Sequence, residues 1–244
     1  MFSASAELYD ALYAFKDYAA EAARVAALAR ALHPEARTVL DVGCGTGEHA
    51  RLLAASHGFE ADGIDLDPGL LAVARAKHPA GRFTVADMSR FSLGRRYDVV
   101  LCLFSSIGYL VTLDRLTRAL RCFRDHLAPD GIVLVEPWFA PGTLEPERTG
   151  TQTATAGDTH VVRTSRTEIA GRVSRLHFAY VVERPSGREE FQEVHELGLW
   201  TPAEVGAAFA AAGLAATFDP EGISGRGLWT ARAGTTPATM EAAR

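Results

Sequence analysis

The stretch Val39-Leu40-Asp41-Val42-Gly43-Cys44-Gly45-Thr46-Gly47 constrains this chain more than any other. A short apolar strand stops at a carboxylate, and alternate glycines follow before helix-compatible sequence begins at Glu48. Glycines at these positions let the backbone turn tightly and approach a ligand without Cβ interference. In an open parallel sheet such a turn lies beyond the carboxyl end of a strand, where ligands bind. A dinucleotide fingerprint needs a third glycine where this chain has Glu48, and a carboxylate there would repel a pyrophosphate. A nucleoside-like ligand without phosphate avoids that repulsion. A purely structural turn is the plainer reading, but Asp41 and the carboxylates further on favour a ligand.

The remaining pattern places this turn in an α/β sheet. Tyr9 and Tyr13 form an aromatic stripe in a helical segment, followed by an Ala-rich helix to about Leu32 that Pro34 ends. These tyrosines either pack in the core or cap a cofactor from the N-terminal side. Phe59 to Asp65 reads as a second strand, with Asp67-Pro68 opening a helix. Asp65 at that strand end is placed to accept both hydroxyls of a ribose; a turn residue is the alternative. Arg82 to Ala86 is a third strand ending at Asp87-Met88, where a carboxylate can accept from an exocyclic amine and a thioether can cover an adenine ring. Tyr97 to Phe104 is the fourth strand, followed by Ser105-Ser106-Ile107-Gly108-Tyr109. A helix from Asp114 to Leu127, a turn at Pro129-Asp130-Gly131 and a strand Ile132 to Val135 come next. Strands separated mostly by helices predict an open sheet covered on both faces.

After Pro141 the period changes to two. Alternation around Val161, Phe178 and Phe191 to Trp200 predicts an antiparallel insertion of about three strands, covering the cofactor face, mediating a dimer, or both. Thr201-Pro202-Ala203-Glu204 signals a capped helix, and two last strands are expected at Ala215 to Phe218 and Leu228 to Ala231. Between them, Arg226 in Ser224-Gly225-Arg226-Gly227 suits a bidentate grip on phosphate, or lies in an ordinary turn. The expected division is an N-terminal helical cap (1–36), a cofactor-binding α/β core (37–140), the insertion (141–200), a C-terminal part of the core (201–233) and a flexible tail (234–244).

With 244 residues and 48% hydrophobic content, the chain can build one large core with an insertion. No segment reaches the roughly 20 apolar residues of a membrane span, and no basic-then-apolar leader precedes the first helix. Three widely spaced cysteines fit a reducing compartment, so a cytoplasmic location is expected. Cys44 reads as a small residue buried in the glycine turn rather than a nucleophile. A formal charge of −5 without a basic cluster favours a small-molecule substrate over nucleic acid. The histidines show no zinc spacing, and no metal is expected.

The motif at Asp41 to Gly47, with Asp65 and Asp87-Met88, resembles class I S-adenosylmethionine-dependent methyltransferases. Phe91 to Arg96, Phe104 to Tyr109, Val135 to Trp138 and Ser224 to Leu228 resemble, more narrowly, the TDP-aminosugar N,N-dimethyltransferases of macrolide pathways. The resemblance implies a Rossmann-like sheet of seven strands in the order 3-2-1-4-5-7-6, with the insertion shared between dimer contact and substrate pocket. It implies S-adenosyl-L-methionine as cofactor, with Gly43 and Gly45 on the methionine side, Asp65 on the ribose, and Asp87 and Met88 on the adenine. Tyr18, Asp41, Cys44, His49, Leu66 and Leu103 complete the expected cofactor site. Tyr109 and His195 fall where relatives place groups near the sugar amine, and are the candidate catalytic pair; the plainer reading of His195 is packing in the insertion. Tyr9, Tyr13, Ser106, Glu136, Trp138, Arg175 and Arg226 are expected on the substrate side, Arg226 at the nucleotide phosphate. Relatives carry a substrate-facing tyrosine very near the N-terminus, where the nearest residue here is Phe2. The implied activity is N,N-dimethylation of a TDP-aminosugar by a homodimer. Methylation of nitrogen or oxygen on another natural product, or cofactor binding without turnover, are the rivals.

Overall fold

The computed structural model describes residues 5–234, so Phe2 and the tail beyond Gly234 fall outside the described residues. Strand β1 (Thr38–Val42) runs through the middle of the main sheet and is buried from Val39 onward. It pairs in parallel with β2 (Glu60–Asp65) on one side and β4 (Tyr97–Cys102) on the other. Strand β3 (Phe83–Val85) lies outside β2, and β5 (Leu127–Val135) outside β4. Two strands late in the chain, β10 (Leu214–Asp219) and β11 (Leu228–Ala233), close that edge in antiparallel fashion. The order β10-β11-β5-β4-β1-β2-β3 matches the expected 3-2-1-4-5-7-6 when the core strands are counted alone.

Successive strand side chains point to opposite faces, and both faces here are apolar. Leu40, Val42, Val100 and Val133 meet Leu120 and Phe123 of helix α5 (Leu113–Asp125) and Phe209 of helix α6 (Pro202–Ala211). Val39, Leu101 and Leu134 meet Ala22, Val25 and Ala29 of helix α2 (Tyr18–Leu32), Leu53 of α3 (Glu48–His57) and Leu71 of α4 (Pro68–Lys77). Asp41 shares the Val39 face, which aims its carboxylate toward α3. Helix starts follow the sequence: Asp67 accepts from Gly69 N at 2.8 Å, and Thr201 with Glu204 forms a reciprocal capping box. No helix among the described residues is long and apolar enough to cross a membrane.

The insertion is a separate antiparallel sheet of four strands, β6 (Thr149–Ala156), β7 (Thr159–Ala170), β8 (Val173–Arg184) and β9 (Gly187–Gly198), in sequential order. Three strands were expected. The additional one, β6, reads Thr-Gly-Thr-Gln-Thr-Ala-Thr-Ala and is mostly exposed. As an edge strand paired on one side only, it has no apolar alternation to betray it. Strand β5 also begins earlier than Ile132, because Leu127 already pairs with Tyr97 before a register irregularity. The inner face of the insertion (Val161, Phe178, Tyr180, Val182) packs on Leu8, Leu12 and Tyr13, which belong to a 3-10 turn (Ala6–Leu8), helix α1 (Tyr9–Leu12) and its C-cap. This N-terminal segment is thereby wedged between the insertion and the glycine turn.

Candidate active site

The site starts where β1 ends. Gly43 N and Cys44 N both donate to Ile64 O, at 2.8 and 3.0 Å, folding the turn back over β2. Gly43 has φ +72°, and a Cβ there would stand 2.8 Å from Ser106 Cβ. At Gly45, φ is +55° and the open side faces the Tyr9 ring. At Gly43 only glycine meets both the left-handed backbone and the close approach. Glu48, the residue that spoils a dinucleotide fingerprint, opens α3 and pairs with Arg51 and Lys77.

Asp65 ends β2 with both oxygens engaged: Oδ2 accepts from Gly45 N and Oδ1 from Asp67 N, each at 2.9 Å. Burial pushes its carboxyl above the usual range, against these N–H contacts. A cavity of about 310 Å³ opens beside it. It is lined by Gly43, Gly45, Asp65, Leu66 and Met88 together with Tyr9, Ser106, Tyr109 and Arg115. Asp87 stands next to this wall rather than in it. Its Oδ1 accepts from Ser89 N and Oγ, and Arg115 Nη2 lies 3.4 Å from Oδ2. Burial opposes ionisation of Asp87, but these donors and Arg90 outweigh it and hold its carboxyl low.

A narrow cleft continues behind Gly43, lined by Tyr9, Tyr18, Asp41, Cys44, His49 and Leu103. Asp41 is 2% exposed, and its Oδ2 has no hydrogen-bond partner among the described residues. Burial pushes its pKa up to about 6, opposed by His49 and reinforced by Asp65. His49 Nε2 lies 2.8 Å from Glu21 Oε2, and Lys16 Nζ donates to Glu21 Oε1 at 2.8 Å. The ring of Tyr18 meets His49 edge-on at 5.0 Å. Burial drives the Cys44 thiol well above its ordinary value, so it stays a protonated packing group.

Past β4 the backbone is strained, with Phe104 and Ser105 at φ +51° and +60°. This bend presents Tyr109 to the cavity. Its hydroxyl lies 2.8 Å from His195 Nδ1 on β9, and His195 Nε2 lies 3.4 Å from Glu193 Oε2. Ser5 Oγ and Tyr180 OH donate to the same Glu193 oxygen, at 3.0 and 3.1 Å. The rings of Tyr9 and Tyr13 pack at 4.5 Å in a tilted pair, and Tyr13 OH accepts from Arg163 Nη1 at 3.0 Å.

Arg226 lines a second cavity of about 210 Å³ with Trp138, Phe139, Trp200 and Trp229. Its guanidinium sits 5.5 Å from the Phe104 ring and 5.7 Å from that of Trp138, while Nη1 donates to Ser105 Oγ at 3.2 Å. Trp138 Nε1 donates to Ser174 Oγ at 2.8 Å, and buried Glu136 accepts from Ser224 Oγ. Arg175 is the exception among the expected residues. It projects from the outer face of β8, where it pairs with Glu196 at 2.8 Å and Glu168 at 3.2 Å. Period two explains the misplacement: Ser174, Phe178 and Tyr180 face inward, so Arg175 faces away. Arg115, Glu193, Ser5 and Tyr180 were not foreseen. Glu193 had one available signal, its separation of two residues from His195 on a strand, which puts both on one face.

A family model described as a methyltransferase domain matches residues 39–131. The dTDP-3-amino-3,6-dideoxy-alpha-D-glucopyranose N,N-dimethyltransferase of Streptomyces fradiae is 44% identical, over 92% of this chain and 89% of the relative. The chain belongs to this methyltransferase family. The crystal structure of Streptomyces venezuelae DesVI superposes with a TM-score of 0.87 at 38% identity, covering 93% of this chain and 98% of that one. An amino pentose methyltransferase from Micromonospora echinaspora, involved in calicheamicin biosynthesis and solved with S-adenosylmethionine bound, gives 0.81 at 37% identity, covering 93% and 96%. The protein is thus an S-adenosylmethionine-dependent N-methyltransferase acting on small molecules. Its residues fit that donor. The buried, unpartnered oxygen of Asp41 is what a methionine aminium needs, and the glycine cradle admits a ligand backbone that a Cβ would exclude.

Proposed function

We propose that this methyltransferase N,N-dimethylates the amino group of a nucleotide-linked aminodeoxysugar. The supporting observation is that Tyr109 lines the first cavity while Arg226, bonded to Ser105, lines the second. A hydrogen-bonding group for an amine and a planar cation for a diphosphate match the two ends of such an acceptor. Streptomyces venezuelae dTDP-3-amino-3,4,6-trideoxy-alpha-D-glucopyranose N,N-dimethyltransferase, 39% identical over 92% of this chain, has an acceptor of this kind.

In this reading Asp41 holds the aminium of the donor, Asp65 the ribose hydroxyls, and Met88 covers the adenine. Tyr18, His49, Cys44 and Leu103 wall the methionine end, and Asp87 stands at the adenine edge. The donor, when bound, supplies an electrophilic methyl on a sulfonium. The chain must then present a neutral amine in line with it, and positioning supplies much of the rate. Aliphatic amines are largely protonated at neutral pH, with pKa values of about 10. Burial keeps Tyr109 a neutral hydroxyl, since its pKa is pushed well above the ordinary value. It therefore orients the nitrogen, and His195 behind it is the group able to take up a proton. Tyr9, Tyr13 and Ser106 shape the sugar side, with Glu136 and Trp138 supporting the Arg226 cavity. The exposed outer face of the insertion, with Val194 50% exposed, supports a homodimer.

The test is methyl transfer from labelled donor to a panel of nucleotide-linked aminosugars, the corresponding free aminosugars, and phenolic or peptidic acceptors. Label should enter only the nucleotide-linked amines. Preferential labelling of a free sugar, a phenol or a peptide would sink the reading.

A further inference from the structure

Tyr109, His195 and Glu193 stand in line from the cavity wall into the insertion, with contacts of 2.8 Å and 3.4 Å. We propose that Glu193 is a positioning residue that fixes the tautomer of His195, and that Tyr109 consequently faces the cavity as a hydrogen-bond acceptor, making the site selective for an N–H donor. This rests on the amine-acceptor reading above.

Glu193 is 8% exposed and takes hydrogen bonds from Ser5 Oγ and Tyr180 OH. Burial opposes its ionisation, but contacts with His195, Ser5 and Tyr180 outweigh that and hold the carboxyl below its ordinary range. An ionised carboxylate has no hydrogen to give, so His195 Nε2 must carry one toward it. A neutral imidazole then has a bare Nδ1. The Tyr109 hydroxyl at 2.8 Å has a single hydrogen and must spend it on that nitrogen. Its oxygen lone pairs are left for the cavity. The reverse arrangement would set two lone pairs against each other at Glu193. Phe178, edge-on to the imidazole at 5.1 Å, holds the ring plane.

Other charged and titratable groups face this line from every side. Tyr180 comes from β8 and Arg163 from β7, the latter stacked on Phe178 and bonded to Tyr13. Tyr9 and Tyr13 come from the N-terminal segment, and Asp65 and Arg115 line the same cavity as Tyr109. Glu193 brings a carboxylate to His195 Nε2. The proton path follows. One N–H proton of an ammonium passes to the Tyr109 oxygen while the hydroxyl proton passes to His195 Nδ1. The amine keeps its electron pair, tyrosine stays neutral, and the imidazolium lies against the Glu193 carboxylate.

The test is a long-range proton–nitrogen spectrum of protein labelled with 15N-histidine. The parent should show His195 protonated at Nε2 and bare at Nδ1. Glu193→Gln should lose this single state, whereas Tyr109→Phe should keep it. With a nucleotide-linked aminosugar, Glu193→Gln should lower kcat about 10- to 100-fold near neutral pH and leave KM within about twofold. The deficit should shrink as pH rises and the amine arrives already neutral. A parent His195 protonated at Nδ1, an unchanged tautomer in Glu193→Gln, or a deficit constant with pH would each overturn the proposal. The parent spectrum needs neither variant nor acceptor, so neither a folding defect nor a wrong acceptor class can mask the result.

Discussion

The Gly45 N–H donates to Asp65 Oδ2 across 2.9 Å, so the turn after β1 and the carboxylate ending β2 form one rigid unit. If that carboxylate takes the ribose hydroxyls of the donor, Asp65→Asn removes charge from two hydrogen bonds. Hydrogen bonds to charged groups contribute about 1.5–3 kcal/mol, so donor affinity should fall about 10- to 100-fold. Calorimetry with S-adenosylmethionine and its demethylated product would read the loss directly; unchanged affinity would remove Asp65 from the donor site.

Gly43→Ala combines a φ of +72° with a Cβ 2.8 Å from Ser106 Cβ. Residues held in the left-handed region cost about 1–3 kcal/mol, so thermal unfolding should come earlier and donor binding should be lost. Retention of both would show that Ser106 gives way and that the turn is less crowded than it looks.

Asp41 makes a pH prediction with an unusual sign. Burial raises its pKa from 3.8 to about 6, so folding favours the protonated form more than the unfolded chain does, although the carboxyl is still mostly ionised at pH 7. Its contribution is fully present below the unfolded value near 4 and is lost as pH rises through about 6. At about 1.4 kcal/mol per unit, the loss amounts to roughly 3 kcal/mol at most. Asp41→Asn should therefore stabilise the donor-free protein at pH 7 relative to pH 5, while weakening donor binding at least about tenfold. Thermal denaturation of both proteins across this range checks the first effect and calorimetry the second. A variant that loses stability equally at both pH values would contradict it.

Much of this was legible in the sequence because the central strands are buried on both faces and read as short apolar runs with carboxylates at their ends. Asp41, Asp65 and the glycine turn were therefore visible, as were the capping residues Asp67 and Thr201. Strand β6 was not, since an exposed edge strand has no apolar period. Arg175 was placed on the substrate side, and only the phase of β8 shows that it faces outward. Glu193 was missed because a glutamate in a run of charged residues reads as solvated surface, and its burial comes from Ser5 and Tyr180, both distant in sequence.

In the proposed reading, Arg226 serves the acceptor and not the donor. Its contacts include Ser105 and the rings of Phe104, Trp138 and Phe139, of which only Phe104 also borders the cleft proposed for the donor. Arg226→Ala should weaken binding of a nucleotide-linked aminosugar about 10- to 100-fold and leave donor affinity within about twofold. Equal losses for both ligands would mean a general defect in the Ser224 to Leu228 turn.

Tyr109→Phe and His195→Ala should each slow single-turnover methyl transfer at saturating ligands, most strongly at the lower end of the pH range, where more amine arrives protonated. Acid–base groups contribute ~100-fold to 10,000-fold, while an orienting hydroxyl contributes less. If both variants match the parent rate at every pH, positioning by the rest of the pocket is the whole of the mechanism.

Mass spectrometry of the acceptor during turnover with a dTDP-linked 3-amino-3,6-dideoxyhexose counts the methyl groups as they are added. The proposed dimethylation predicts that a monomethyl species rises first and is replaced by an N,N-dimethyl product, with the free aminosugar left unmodified. A reaction that stops at one methyl, places a methyl on oxygen, or proceeds equally well without the nucleotide would contradict it.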